Sequence, residues 1–330
     1  MVANPENQDV QAYLDQAVQL RKDGQLEAAL EKIQQALAIN PDFPPALNQL
    51  GATYLQQQEF EQAIAAYQKA IELNPNNPGF YNGLGDAYLK AKNPTEAVSA
   101  YQKALAINPK PPGIHKKLGD ALKQEGRVKA AIAAYQKAVE LNPNNPGFYN
   151  ALGDAYLRAK NPTEAVSAFQ KAVELNPQAP PPYKRLGDAL QQSGQLECAI
   201  AAYQKAIELK PDNPGFYNAL GTASLKAQQP QQAITAFQEF VKLSNNNPGA
   251  YRNLGDAFKQ NGQVEEAINA YQSAIALQPD NLSLYRLLGD TFLEQDREEE
   301  ALEAYRKALG LGQRKSEKKG LFGRMGNLFN

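Results

Sequence analysis

Apolar residues recur along this chain at steps of three and four, the spacing of a helix face rather than of a strand. Between residues 146 and 177 the apolar positions are Tyr149, Leu152 and Tyr156, then Val166, Phe169 and Val173. This predicts two helices with a short turn between them. Asn145 is placed to cap the first helix, with Pro146 in its first turn. Asn161 and Pro162 repeat that device for the second helix, and Pro177 stops it.

The pattern repeats. Residues 78–109 return 68 positions later at residues 146–177, with 26 of 32 positions identical. A looser copy lies between them, so the period is 34 residues. Nine units start at Val10, Pro44, Pro78, Pro112, Pro146, Pro180, Pro214, Pro248 and Leu282, and they tile residues 10–315. Residues 1–9 are expected to be a flexible N-terminus, and residues 316–330 a separate tail. A period of this length is the mark of stacked supersecondary units.

Small and large residues alternate in a fixed way. The eighth position is Ala17, then glycine in eight units from Gly51 and Gly85 to Gly289. Glycine inside a helix costs about 1 kcal/mol against alanine, so its retention predicts a close helix crossing. The twentieth position, expected to face it, is alanine throughout, from Ala29 to Ala301. Tyr67, Tyr101, Tyr135, Phe169, Tyr203, Phe237, Tyr271 and Tyr305 are assigned to the core.

The pattern aromatic-x2-Leu-Gly-x2-Tyr, Ala-x3-Tyr/Phe-x2-Ala, Pro resembles the tetratricopeptide repeat over more than nine-tenths of the chain. The resemblance implies an all-α fold, a right-handed α-solenoid superhelix of antiparallel helix pairs. It also implies that first helices line a concave groove for a partner's peptide segment. One helix pair cannot bury its own apolar face, so neighbours must stack.

On that frame, unit positions 5, 6 and 9 point into the groove, and from the third unit they alternate with a two-repeat period. Asn82, Asn150 and Asn218 occupy position 5 of the odd units. Even units carry Lys116 and Lys117, Lys184 and Arg185, and Arg252 and Asn253. Position 9 is Asp86, Asp120, Asp154, Asp188 and Asp256, and also Asp290, interrupted by Thr222. Asparagine offers a donor and an acceptor together, which suits an extended main chain. In the competing reading the aspartates pair with the neighbouring cations or solvate the surface. Counted together with positions 12 and 13, nearer one rim, basic residues outnumber acids eleven to seven from the third unit onward, which points to acidic ligands. The five-residue carboxylate clamp of heat-shock co-chaperones is absent. Lys116 and Arg185 match it, but Asp120, Ala151 and Pro181 stand at its other places.

The seventh unit departs from the pattern with Thr222, Ser224, Phe240 and Asn245. Phe240 is expected to fill volume left by Ser224, the alternative being an exposed ring in a partner site. His115 stands where seven other units have Tyr and is assigned to packing. Cys198 is expected to be at least partly exposed.

Composition narrows the function. The chain has 330 residues, 34 basic and 35 acidic, so its charge gives no reason to expect nucleic acid. One Cys and one His leave little room for disulfide, metal or triad chemistry. No Walker-type loop, dinucleotide turn or nucleophile elbow occurs. No enzyme activity and no cofactor are expected. A soluble cytoplasmic protein is, since neither a secretory signal nor an apolar run of membrane-spanning length is present. The tail is different. Lys318, Lys319, Leu321, Phe322, Arg324, Met325, Leu328 and Phe329 combine a basic cluster with one apolar stripe at helical spacing. That combination suits a cap, a partner's groove or reversible contact with an anionic membrane. The leading expectation is a non-enzymatic scaffold that binds peptide segments of partner proteins. The alternatives are a membrane-peripheral assembly factor, or a regulatory module of a separately encoded transferase.

Overall fold

The computed structural model describes residues 5–244 and 246–310, with side chains from residue 9 onward. Asn245 and every tail residue named above lie outside the described residues. Among those described, all regular structure is helical, in eighteen helices. The chain divides into two compact units, Met1–Pro177 and Gln178–Asn330.

The first unit holds α1 (Pro5–Lys22), α2 (Leu26–Ile39), α3 (Pro44–Gln56), α4 (Phe60–Leu73) and α5 (Pro78–Lys90). It continues with α6 (Pro94–Ile107), α7 (Pro112–Gln124), α8 (Val128–Leu141), α9 (Pro146–Arg158) and α10 (Pro162–Leu175). The second unit holds α11 (Pro180–Gln192), α12 (Leu196–Leu209), α13 (Pro214–Lys226) and α14 (Pro230–Leu243). It ends with α15 (Pro248–Gln260), α16 (Val264–Leu277), α17 (Leu282–Leu293) and α18 (Glu298–Ala308). Odd and even helices are the first and second helices of successive repeats, five in the first unit and four in the second, and within each unit the antiparallel pairs stack one on the next as in an all-α solenoid. α1 begins at Pro5, five residues ahead of the 34-residue register.

The two helix starts in a repeat are built differently. At five first helices, α5, α9, α13, α15 and α17, the asparagine cap forms, as where Asn145 Oδ1 accepts from the Gly147 N–H at 2.9 Å with Pro146 between them. Asn161, expected to act in the same way, makes no side-chain cap bond. The turn before it is closed by the backbone instead. Lys160 adopts a left-handed conformation at φ 60°, and the Asn161 N–H reaches back to Tyr156 O at 2.9 Å. Four repeats use glycine at this left-handed position, as at Gly126 and Gly194.

The eighth-position glycines are needed, but for the ring of the second helix rather than for alanine. A Cβ on Gly85 would come within 2.5 Å of the Tyr101 ring, and one on Gly187 within 2.4 Å of the Tyr203 ring. Alanines of the twentieth position are fully buried beside these rings. Each ring contributes about 1.5–3 kcal/mol through burial.

Phe240 is buried, so it is not an exposed partner contact. Phe240 shares a core cluster with Ala250, Leu254 and Ala257 of α15. Ser224 is itself fully buried, and its hydroxyl donates to Gln232 Oε1 at 2.8 Å. Ala250 of that cluster stands where three other repeats carry Phe80, Phe148 and Phe216.

Candidate functional site

Prolines at helix starts and glycine–ring contacts hold the first helices in register, so equivalent positions recur on one face. On that face the structure brings the sequence-selected residues of neighbouring repeats together. In the first unit, Lys117 of α7 reaches across to α5. Its Nζ donates to Asn82 Oδ1 at 3.1 Å and to Asp86 Oδ2 at 2.6 Å. Lys116 instead pairs with Asp120 on its own helix at 2.7 Å. In the second unit, Lys184 pairs with Asp188 at 2.7 Å and Arg252 lies 3.8 Å from Asp256. Asn253 Nδ2 donates to Asn218 Oδ1 at 2.9 Å, repeating the cross-repeat link of Lys117 to Asn82.

The aspartates carry a second bond that the sequence reading missed. Tyr101 donates its hydroxyl to Asp86 at 2.7 Å, Tyr135 to Asp120 at 2.7 Å and Tyr203 to Asp188 at 2.9 Å. Tyr271 does the same to Asp256 at 2.8 Å, and Tyr305 to Asp290 at 2.7 Å. Each pair spans 15 residues and ties the second helix to the first. Burial, reinforced by the adjacent aspartate, holds the hydroxyls of Tyr101 and Tyr203 well above the usual tyrosine range. A signal for this bond was in the sequence. The one unit from the third onward that lacks the aspartate, at Thr222, also lacks the hydroxyl, at Phe237. Thr222 turns its own hydroxyl to Asn218 O at 2.8 Å.

The remaining residues fit less regularly. Asn150 Oδ1 is buried without a hydrogen-bond partner. Asp154, whose repeat carries Phe169, exerts its charge on Tyr135. Neither Asp154 nor Arg185 is free of partners. His115 is half-buried, with Nε2 2.8 Å from Pro109 O, and Cys198 is exposed.

In each unit one asparagine therefore has its side-chain oxygen already taken, Asn82 in the first and Asn218 in the second. Lys117 can only donate, which sets the Asn82 amide orientation and leaves its N–H groups for a further partner. Such a surface can hold acceptor groups in register. Among the described residues, no helix is long and apolar enough to cross a membrane.

Residues 112–321, just under two thirds of the chain, match the family model for the cilia and flagella-associated protein 70 C-terminal domain. Residues 19–58 and 53–92 match a TPR repeat model, and residues 79–111 a tetratricopeptide repeat model. No curated protein sequence gives a significant match. Among solved structures, the chain is similar to YrrB, described as a TPR protein with an unusual peptide-binding site. The two are 25% identical with a TM-score of 0.50, over 60% of this chain and 97% of YrrB. PilF of Pseudomonas aeruginosa shares the fold at 23% identity and a TM-score of 0.50, over 61% of this chain and 91% of PilF. MamA is 26% identical with a TM-score of 0.49, over 51% of this chain and 92% of MamA.

Proposed function

The chain belongs to the tetratricopeptide-repeat family, and from that premise we propose a non-enzymatic scaffold that binds extended peptide segments of partner proteins along its first-helix face. The observation that carries this reading is the cross-repeat link of Lys117 to Asn82 and Asp86. It takes up the Asn82 side-chain oxygen and leaves the amide donors for a partner, and Asn253 does the same to Asn218 four repeats further along the sequence. A row of donors suits a partner rich in main-chain carbonyls and acidic side chains. The peptide-binding site in YrrB's description supports the same class of ligand.

The test is affinity purification from the source cell with three forms of the chain. These are the full length, the triple variant Asn82→Ala, Asn150→Ala, Asn218→Ala, and a truncation at residue 312. Partners captured by the full chain and the truncation but lost from the triple variant are expected. Partners kept by the triple variant and lost with the tail would overturn the reading, and would make the basic segment the docking element.

A further inference from the structure

One tyrosine of the ring position escapes the tyrosine–aspartate rule. Tyr67 stands at the ring position of the second repeat, packed over Gly51 and Gly83, where added Cβ atoms would meet it at 2.9 Å and 2.4 Å. The place that holds aspartate in most later repeats is Ala52. Tyr67 therefore has no aspartate at that position of its own repeat. Asp86 of the next repeat is near enough for its charge to act on the Tyr67 hydroxyl. Both oxygens of Asp86 are occupied, one by Tyr101 and the other by Lys117.

The charge of Arg21, in the last turn of α1, acts on the same hydroxyl in the opposite sense. Its Nη2 makes a long 3.4 Å bond to Gln49 Oε1 of α3. Its Nε is buried and has no hydrogen-bond partner. Among the described residues no carboxylate pairs with it. The acids on its own helix are engaged or distant. Gln11 holds Asp15 at 2.8 Å, and Gln19 holds Asp23 at 3.0 Å. Asp9 is twelve residues back, about 18 Å along the helix axis. A partly buried guanidinium without a counter-charge is unfavourable, and a buried N–H without an acceptor adds to that.

These groups lack one thing in common, an anionic acceptor. The guanidinium fork matches the two oxygens of a carboxylate. Tyr67 adds a hydroxyl donor, and Gln49, with its oxygen turned to Arg21, adds an amide donor. We propose that Arg21, Gln49 and Tyr67 form a carboxylate-binding site on the first-helix face of the first two repeats. The ligand is an acidic side chain or the terminal carboxylate of a bound polypeptide. A single cation among neutral donors fits one negative charge. The site shares no unit position with the co-chaperone clamp except position 6. It rests on the reading of this face as the partner surface and extends it to repeats from which the sequence pattern selected no residue.

The test needs no native partner. The Nε–Hε resonance of Arg21 is followed in the isotope-labelled full chain during titration with acetate, with sodium chloride at equal ionic strength as control. A saturable shift with acetate alone is expected. Arg21→Lys, which keeps the charge but loses the fork, weakens binding about tenfold when followed at nearby backbone amides. Tyr67→Phe weakens it about threefold. Ala52→Asp restores the internal acid of later repeats, so acetate binding is lost while the melting temperature is held or raised. Acetyl-Ala-Glu-amide and acetyl-Ala-Gln with a free terminus separate a side-chain carboxylate from a terminal one. A shift that does not saturate, that chloride reproduces, or that survives unchanged in Ala52→Asp would overturn the site. Acetate binding that persists while partner capture ignores the asparagine row would sink the groove reading and leave this site standing.

Discussion

Phe240 of α14 and Ala250 of α15 lie in one buried cluster, and they exchange the sizes found elsewhere in the array. Ala70 and Phe80, at the equivalent positions, share a cluster with the large residue on the other helix. Ala138 with Phe148, and Ala206 with Phe216, follow the usual order. The total volume at this junction is conserved while its placement is reversed. Phe240→Ala therefore leaves a cavity and should cost about 3 kcal/mol. Adding Ala250→Phe should recover most of the loss, because the pair then matches Ala70 and Phe80. Urea unfolding of both single variants and the double one checks this. A double variant no more stable than Phe240→Ala would refute the pairing.

Glycine substitutions should divide by environment. Gly187→Ala drives a methyl to within 2.4 Å of the Tyr203 ring and should destabilise by about 1–3 kcal/mol. Gly113→Ala, also helical, meets nothing within 4 Å and should be neutral or stabilising by about 0.5 kcal/mol. Thermal melts of the two variants decide it, and similar shifts would contradict the ring contact.

The turn residues offer a gain. Lys160 holds φ 60°, a conformation unfavourable for a residue with a Cβ, and Gly194 serves the equivalent turn at φ 81°. Lys160→Gly should stabilise by about 0.5–1 kcal/mol, and Gly194→Ala should destabilise by a similar amount. Denaturant midpoints with unchanged slopes would support both.

Stability should fall in alkali because of the buried tyrosines. Burial, and then Asp86 beside it, raise the Tyr101 hydroxyl. Burial raises Tyr67 to about 12. From about pH 10 the unfolded chain releases these protons while the folded chain keeps them. The stabilisation is complete below that pH and is lost as pH rises through it, between about 10 and 12 for Tyr67. Tyr101→Phe should cost about 1 kcal/mol at neutral pH for the bond to Asp86. It should also flatten the alkaline decline, followed by unfolding curves at several pH values. An unchanged slope would mean that Tyr101 ionises freely in the folded state.

Much of the architecture was legible in the chain because it rests on local and periodic signals. Apolar spacing, asparagine caps at Asn145 and its equivalents, and prolines at helix starts set helices of about the observed lengths. The glycine at position 8 announced a close approach. It did not say that the intruding group was the ring of Tyr101 or Tyr203. That depends on where a side chain fifteen or sixteen residues on is carried by the helix crossing. The groove residues were selected by position alone. Their internal bonds, Tyr101 to Asp86 and Lys117 to Asn82, were hidden because one-dimensional periodicity does not record which side chains meet.

The sequence by itself determined the helix pair, its ninefold repetition and the identity of the buried rings, since these follow from spacing and the need to bury one face. Only the tertiary structure decided which polar groups satisfy one another, and so which remain unmet. Asp86 is bound on both oxygens, Phe240 is buried in one cluster with Ala250, and among the described residues Arg21 pairs with no acid. The physical reason is that hydrogen bonds and packing voids depend on distances of a few tenths of an ångström between segments remote in the chain.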